Sequence, residues 1–372
     1  MFTRRRFVQS AALAVGTPLI VPACASDTND ENYIAAVRRI WHPTQALIGD
    51  NLWVRRELVR YAILAPSSHN TQCWKFRVEE NQITLFPDVS RRCPAVDPDD
   101  HHLFVSLGCA TENLIQAALA NGLQGVPSLE AVGTETSSHS IKVALTPAKA
   151  VFSPLFQAIS ERQCTRAEFD GKTLSNNELK LLEQAGTGNG VRALLLTEKS
   201  ASESILDFVI AGNAAQMNDP AFVAELKTWI RFNSADAVSS GDGLYSATSG
   251  NPSIPAWIGN LLFGMFYSVK NENDKYAKQV RSSAGIAVFV SEGSDPAHWI
   301  EAGRCYERFA LQAAALGIQN AFLNQPVEVT KVRPTLANYL GIGNARPDLV
   351  VRFGRGTKMP QSLRRPLEAV IL

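Results

Sequence analysis

Apolar residues recur three and four positions apart through residues 33–64. Tyr33, Val37, Ile40 and Trp41 form one series, and Leu58, Tyr61, Ala62 and Ala65 a second. This spacing predicts helices, the second closed by Pro66 and the paired serines that follow. Ahead of them, 27–31 reads as a polar tether. Two strand-like runs, 74–78 and 82–86, are joined by Glu79-Glu80-Asn81 as a hairpin. A loop over 94–100 leads into a long, mostly apolar helix over 102–123, and 141–145 reads as a strand.

The second half starts with a helix at 154–160 and a polar turn at 161–166. Ser175 with Glu178 is a capping box opening a helix over 178–184. Strands are predicted at 191–196, 284–290, 321–323 and 349–353, with helices over 204–233 and 298–316. Residues 234–256 are rich in Gly, Ser and Pro and read either as a lid or as a disordered insertion.

The pattern repeats. Residues 108–124 laid on 303–319 match Gly108 with Gly303, Glu112 with Glu307, Ala118 with Ala313, Gly122 with Gly317 and Gln124 with Gln319, without a gap. The expectation is an α+β chain of two related halves, residues 25–150 and 151–372. Each would be a mixed or antiparallel sheet flanked by helices, and the two would meet about a pseudo-two-fold axis.

Composition narrows the class. In 372 residues, 45% are hydrophobic, 19% are charged and the net charge is +1. Nothing in that balance points to nucleic acid. Arg4-Arg5-Arg6-Phe7 before an apolar stretch resembles a twin-arginine export signal over residues 1–24, which predicts a periplasmic or envelope location. Val21-Pro22-Ala23-Cys24 resembles a lipobox, while Ala23-Cys24-Ala25 equally fits ordinary signal cleavage. Lipidation at Cys24 would be the chain's one membrane attachment. The six cysteines (24, 73, 93, 109, 164 and 305) contain no CxxC pair, and their pairing stays open. Asp97 to His102 offers metal-type ligands, but acids at a helix start explain them as well, so no metal site is predicted. GxSxG, HExxH, P-loop and GxGxxG are all absent.

Three polar segments hold the candidate chemistry. APSSHNTQCW (65–74) sits between two buried-looking runs and reads as a turn or as a pocket wall. Arg162-Gln163-Cys164-Thr165-Arg166 reads as a solvated turn or as a two-arginine anion site. Asn324-Gln325-Pro326 ends a strand with amides suited to a heteroaromatic edge. A second basic pair, Arg364-Arg365, lies near the C-terminus.

Together these segments resemble the FMN-dependent nitroreductase family, in its exported and internally duplicated branch, over most of 50–370. APSSHNTQCW is similar to the family's PSSxNxQPW segment. ERQCTRAEFDGKTLSNNEL is similar to its phosphate-binding turn and capped helix. LQAAALGIQNAFLNQP and RRPLEAVI are similar to its flavin-side strand and closing segment. The resemblance implies a nitroreductase-like fold, and a monomer mimicking the family's dimer with one FMN site per chain and a vestigial second. It also implies that Arg162, Cys164 and Arg166 hold phosphate, ribityl chain and pyrimidine edge, with Arg364 or Arg365 completing the phosphate site. Leu323, Asn324 and Gln325 would lie beside the ring, and Ser67, Ser68, Asn70 and Gln72 would come from the other half.

The chain departs from the family pattern at three places: Cys164 for serine, Cys73 for the proline of QPW, and Asn324-Gln325 for Glu-Gly. The implied reaction passes hydride or electrons from a small-molecule donor, such as NAD(P)H, through FMN to an electron-poor acceptor, with no protein acid–base pair. The alternative is a flavin-sequestering protein without turnover.

Overall fold

The structure is a computed structural model that describes residues 25–43, 51–131 and 139–372. The predicted export signal, including Cys24, lies outside the described residues.

The first half runs α1 (Ala25–Ile40), α2 (Asn51–Ala62), β1 (Trp74–Val78), β2 (Gln82–Pro87), α3 (His101–Ala120), β3 (Leu123–Ala131) and β4 (His139–Pro147). The second opens with α4 (Pro154–Ala158), α5 (Asn176–Ala185) and β5 (Val191–Leu196). It continues with α6 (Lys199–Met217), α7 (Pro220–Trp229), β6 (Ile230–Arg231), α8 (Ser234–Ser240) and β7 (Leu244–Tyr245). Then come α9 (Ala256–Leu261), α10 (Phe263–Phe266), α11 (Val269–Arg281), β8 (Gly285–Ser291) and α12 (Pro296–Ala315). The chain closes with β9 (Gln319–Phe322), α13 (Gln325–Glu328), α14 (Arg333–Leu340) and β10 (Arg346–Gly354).

The two four-stranded sheets share one topology. The first sheet has strand order β1-β2-β4-β3 and the second β5-β8-β10-β9, each with its long helix between the second and third strands in sequence. Every pairing within these two sheets is antiparallel; the only parallel ladder among the described residues is the two-residue β6–β7. The long helices α3 and α12 cross at their repeated glycines. A Cβ on Gly108 would lie 2.1 Å from the Ile300 carbonyl oxygen, and one on Gly303 would lie 2.0 Å from that of Val105. The contact is reciprocal: each glycine meets the residue three positions before the other. That is the signature of a two-fold interface, made here within one chain. The main core spreads over both faces of this crossing, from Leu58 and Trp74 to Tyr306 and Phe353.

The halves differ in how their sheets are covered. In the second, β8 is buried along its whole length because α12 packs on one face and the α6, α11 and α13 layer on the other. In the first, β3 is an exposed edge, which is why its Pro127 is tolerated. The opposite edge, β1, is covered by the C-terminal tail: Phe76 N donates to Val370 O, and Leu372 N to Phe76 O, both at 2.8 Å. The tail of the second half thus closes the sheet of the first.

Three expectations change. Residues 27–31 are part of α1, which is fastened to the tail by Trp41 Nε1 donating to Ser362 O at 2.9 Å. The helix predicted over 204–233 is broken at Pro220 into α6 and α7. Residues 234–256 are folded: α8 is capped by the Asn233 side chain, and Gly241, Gly243 and Gly250 supply the left-handed turns after it.

Candidate functional site

A cavity opens where the halves meet. Its first-half wall is Pro66 to His69 together with the His102, Ser106 and Cys109 face of α3. Its second-half wall is Phe322, Asn324, Gln325 and Glu328, roofed by α11 through Lys275 and Tyr276. Val105, Phe222, Leu226 and Leu349 add apolar surface, and Asn213, Gln216, Glu272 and Gln279 add further polar and acidic groups.

The polar run 65–74 is shaped by this position. His69, Asn70 and Gln72 all have left-handed φ, between 48° and 54°, a conformation a non-glycine chain holds only when its surroundings fix it. Here they do. Asn70 Nδ2 donates to Gly243 O at 3.1 Å and Leu363 O at 3.2 Å, and Gln72 Nε2 donates to Gly241 O at 2.9 Å. Gln72 Oε1 accepts from Arg365 N at 2.8 Å, and Ser67 Oγ from Gln72 N at 2.9 Å. The Asn70 and Gln72 side chains therefore staple the two halves together, while Ser67, Ser68 and His69 line the cavity.

The arginines divide in the same way. Arg162 is buried, donates to Leu64 O at 2.7 Å and pairs with Glu307 at 3.0 Å. Burial pushes Glu307 up to about 7 against the pull of Arg162. Arg364 is buried and donates to the carbonyls of Ile63, Leu64 and Ala65 at 2.6, 2.9 and 3.1 Å, the acceptors left open where α2 ends. Arg365 reaches Asp88 at 3.7 Å and Ala369 O at 2.9 Å. None of these three lines the cavity; their guanidinium groups are turned to backbone carbonyls or to an acid instead. Leu323 is buried in the core behind the strand, and Cys164 faces Tyr306 Oη at 3.9 Å.

Arg166 is different. It lines the cavity, and its guanidinium has no hydrogen bond or ion pair among the described residues. Its turn is rigid: Arg352, itself buried and stacked on Phe169, donates to Thr165 O at 2.9 Å and Ala167 O at 2.8 Å. Gln279 Nε2 donates to Arg166 O at 2.6 Å. Lys275 stands on the same wall, likewise without a hydrogen bond or ion pair among the described residues. Burial first, and then Arg166, hold its ammonium below the ordinary lysine range, with Glu272 acting the other way. Two under-compensated cations facing one space would be relieved by an anion.

Among the described residues, three further polar atoms on the walls are buried without a hydrogen-bond partner: His69 Nε2, His102 Nδ1 and Gln325 Oε1. Burial, reinforced by Arg166, pushes His69 down to about 4, so its ring is neutral at neutral pH. Gln325 is held by its amide, which donates to Tyr276 Oη at 2.6 Å. His102 Nδ1 lies 3.7 Å from Glu328; burial lowers the histidine and raises the glutamate, each opposing the other's shift. Unpaired buried polar atoms cost about 1–3 kcal/mol each, and a polar ligand would remove that cost.

Of the sequence candidates, the cavity thus gathers Ser67, Ser68, Arg166, Asn324 and Gln325. His69 lay inside the quoted motif without being assigned a role. Lys275 and Tyr276 were missed because α11 was missed, although Val269, Tyr276, Ala277 and Val280 recur at helical spacing and would have disclosed it.

No protein-family model matches the chain. It is similar to a Mycobacterium tuberculosis protein provisionally named NAD(P)H nitroreductase Rv3131, at 24% identity over 325 residues covering 85% of this chain and 90% of that one. A second protein of that organism, provisionally named NAD(P)H nitroreductase acg, is 22% identical over 335 residues covering 85% and 95%. Among solved structures, a nitroreductase with bound FMN from Desulfitobacterium hafniense overlaps with a TM-score of 0.38 and 14% identity, over 58% of this chain and 96% of that one. NfnB of Mycobacterium smegmatis, an FMN-dependent nitroreductase in complex with NADPH, overlaps with a TM-score of 0.35 and 11% identity, over 55% and 87%.

Proposed function

We propose that the chain is an FMN-binding oxidoreductase of nitroreductase type, with one flavin in the cavity between its halves. The observation that carries this reading is the pair of under-compensated cations, Arg166 and Lys275, opposed only in part by Glu272, which forms no ion pair with either, in a cavity whose walls also offer apolar surface and unpartnered polar atoms. That donor set fits FMN: a dianionic phosphate for the cations, a planar ring for the apolar walls, and ring-edge heteroatoms for His102 and Gln325. The motif order along the chain and the names of the two mycobacterial relatives support it.

When bound, FMN would supply the hydride chemistry. The protein's part is positional. Arg166 and Lys275 would hold the phosphate on a turn that Arg352 and Gln279 keep rigid. Asn324 accepts from Val350 N at 3.0 Å through its Oδ1, which locks the strand end that carries Gln325.

Arg166→Ala is expected to weaken FMN binding by about 10- to 100-fold, the loss of one charge-assisted contact, with little change in melting temperature. Fluorescence titration of FMN reads the first and a thermal scan the second. An unchanged affinity would place the phosphate elsewhere. The alternative, a chain that holds flavin without turning it over, is favoured by the folded 244–251 segment, whose Leu244, Ser249 and Asn251 border the cavity. Anaerobic NADPH separates the readings: bleaching of the bound flavin supports the enzyme, and an unchanged spectrum supports sequestration.

A further inference from the structure

We propose that His69, Cys93 and Glu225 form a binding site for a zinc-class divalent cation on the wall of the cavity. Each residue offers one ligand atom, and these atoms all lie within 4.8 Å of one another. They come from three separate parts of the fold. His69 is on the loop after α2, Cys93 on the loop between β2 and α3, and Glu225 on α7. Thiolate, imidazole and carboxylate together are a zinc-type donor set. In a tetrahedral shell, ligand atoms sit about 3.5 Å apart, so closure asks for side-chain movements on the order of 1 Å and no refolding.

Two details favour a cation over a purely structural cluster. Glu225 is already aimed: its Oε2 accepts from Ala95 N at 2.9 Å and its Oε1 from Val96 N at 3.1 Å. Each oxygen keeps acceptor capacity after that single bond. His69 Nε2 is buried and lacks any partner among the described residues, which is costly for a ring held in this position. The other cluster of this kind among the described residues, Asp97, His101 and His102, is spoken for. Its two histidines already face partners: His101 Nε2 is 2.9 Å from Asp348 Oδ1, and His102 Nε2 is 3.3 Å from Asp348 O.

Three protein ligands leave the fourth zinc position for water or for a molecule in the cavity, which His69 borders. The cation would also fasten the left-handed 69–72 segment to α7, making one wall of the cavity from two halves of the chain.

The test reads metal and does not depend on flavin. The purified full chain is stripped with a chelator, given a slight excess of zinc, dialysed, and analysed for metal content and by X-ray absorption at the zinc edge. The expected result is one zinc per chain, with one sulfur among nitrogen and oxygen ligands. Cys93→Ser and His69→Gln should each weaken zinc binding by more than about tenfold, since losing a direct ligand exceeds the effect of losing an outer-shell partner. Cys164→Ser should leave it unchanged. If Cys93→Ser does not fold, Glu225→Gln and the wild-type spectrum carry the test. No zinc above the dialysis blank, a shell without sulfur, or full retention by the ligand variants overturns the site.

Discussion

Gly108→Ala and Gly303→Ala should each destabilise the protein by about 2–3 kcal/mol, and the double variant by clearly less than the sum. A methyl at either position would lie about 2 Å from a backbone carbonyl oxygen of the facing helix, Ile300 or Val105. Backbone cannot rotate away as a side chain tip can, so α3 and α12 must move apart. Overpacking of this kind costs about 1–3 kcal/mol and sometimes more. The gain of roughly 1 kcal/mol in helix propensity on replacing glycine works against it without cancelling it. Sub-additivity follows from the reciprocal geometry, since one separation of the helices relieves both clashes. Urea denaturation of the two single variants and the double variant measures this. Strict additivity, or a large difference between the single variants, would contradict a two-fold crossing.

Arg364→Met should cost about 3 kcal/mol or more, whereas Arg365→Ala should cost about 1 kcal/mol or less. Arg364 satisfies three carbonyls at the end of α2 and Asn70 Oδ1 at 3.2 Å. Burial first, and then Arg162, lower it to about 9, so its removal relieves some desolvation. Against that stand several buried acceptors left unpaired, at about 1–3 kcal/mol each. Arg365 is mostly buried, but its ion pair with Asp88 is long at 3.7 Å and its one short contact is to Ala369 O at 2.9 Å, so its removal leaves a single acceptor unpaired. Thermal and denaturant unfolding give both numbers. Were Arg364 instead a phosphate ligand, Arg364→Met would fold as well as the wild type and lose only flavin affinity.

These arginines also mark how far the sequence can be read. Most of the longer strands and helices follow from apolar periodicity, α11 and β3 excepted, and the repeated Gly, Glu and Gln positions disclose the pairing of α3 with α12. Arg162, Arg166 and Arg364 look alike in a sequence, each a cation among small polar residues. Which of them faces a cavity depends on whether carbonyls or an acid reach it first, and Leu64, Ile63 and Glu307 come from far along the chain. Asn70 and Gln72 have the same ambiguity: amides that could hold a ligand are used to hold Gly241, Gly243 and Leu363. The strand β3 escaped notice because Gly125 and Pro127 break the usual pattern, and only its edge position permits them. Residues 234–256 were obscured by their glycines, which here end a short helix and turn the chain rather than loosen it.

The central claim is that the cavity between the halves holds one flavin. The direct measurement is titration of the purified chain with FMN, read by quenching of flavin fluorescence and by the visible spectrum after gel filtration. The account predicts saturation at one FMN per chain, a yellow protein peak, and weakening by Arg166→Ala. A colourless protein peak with FMN eluting free, at protein concentrations where the chain is folded, would contradict it.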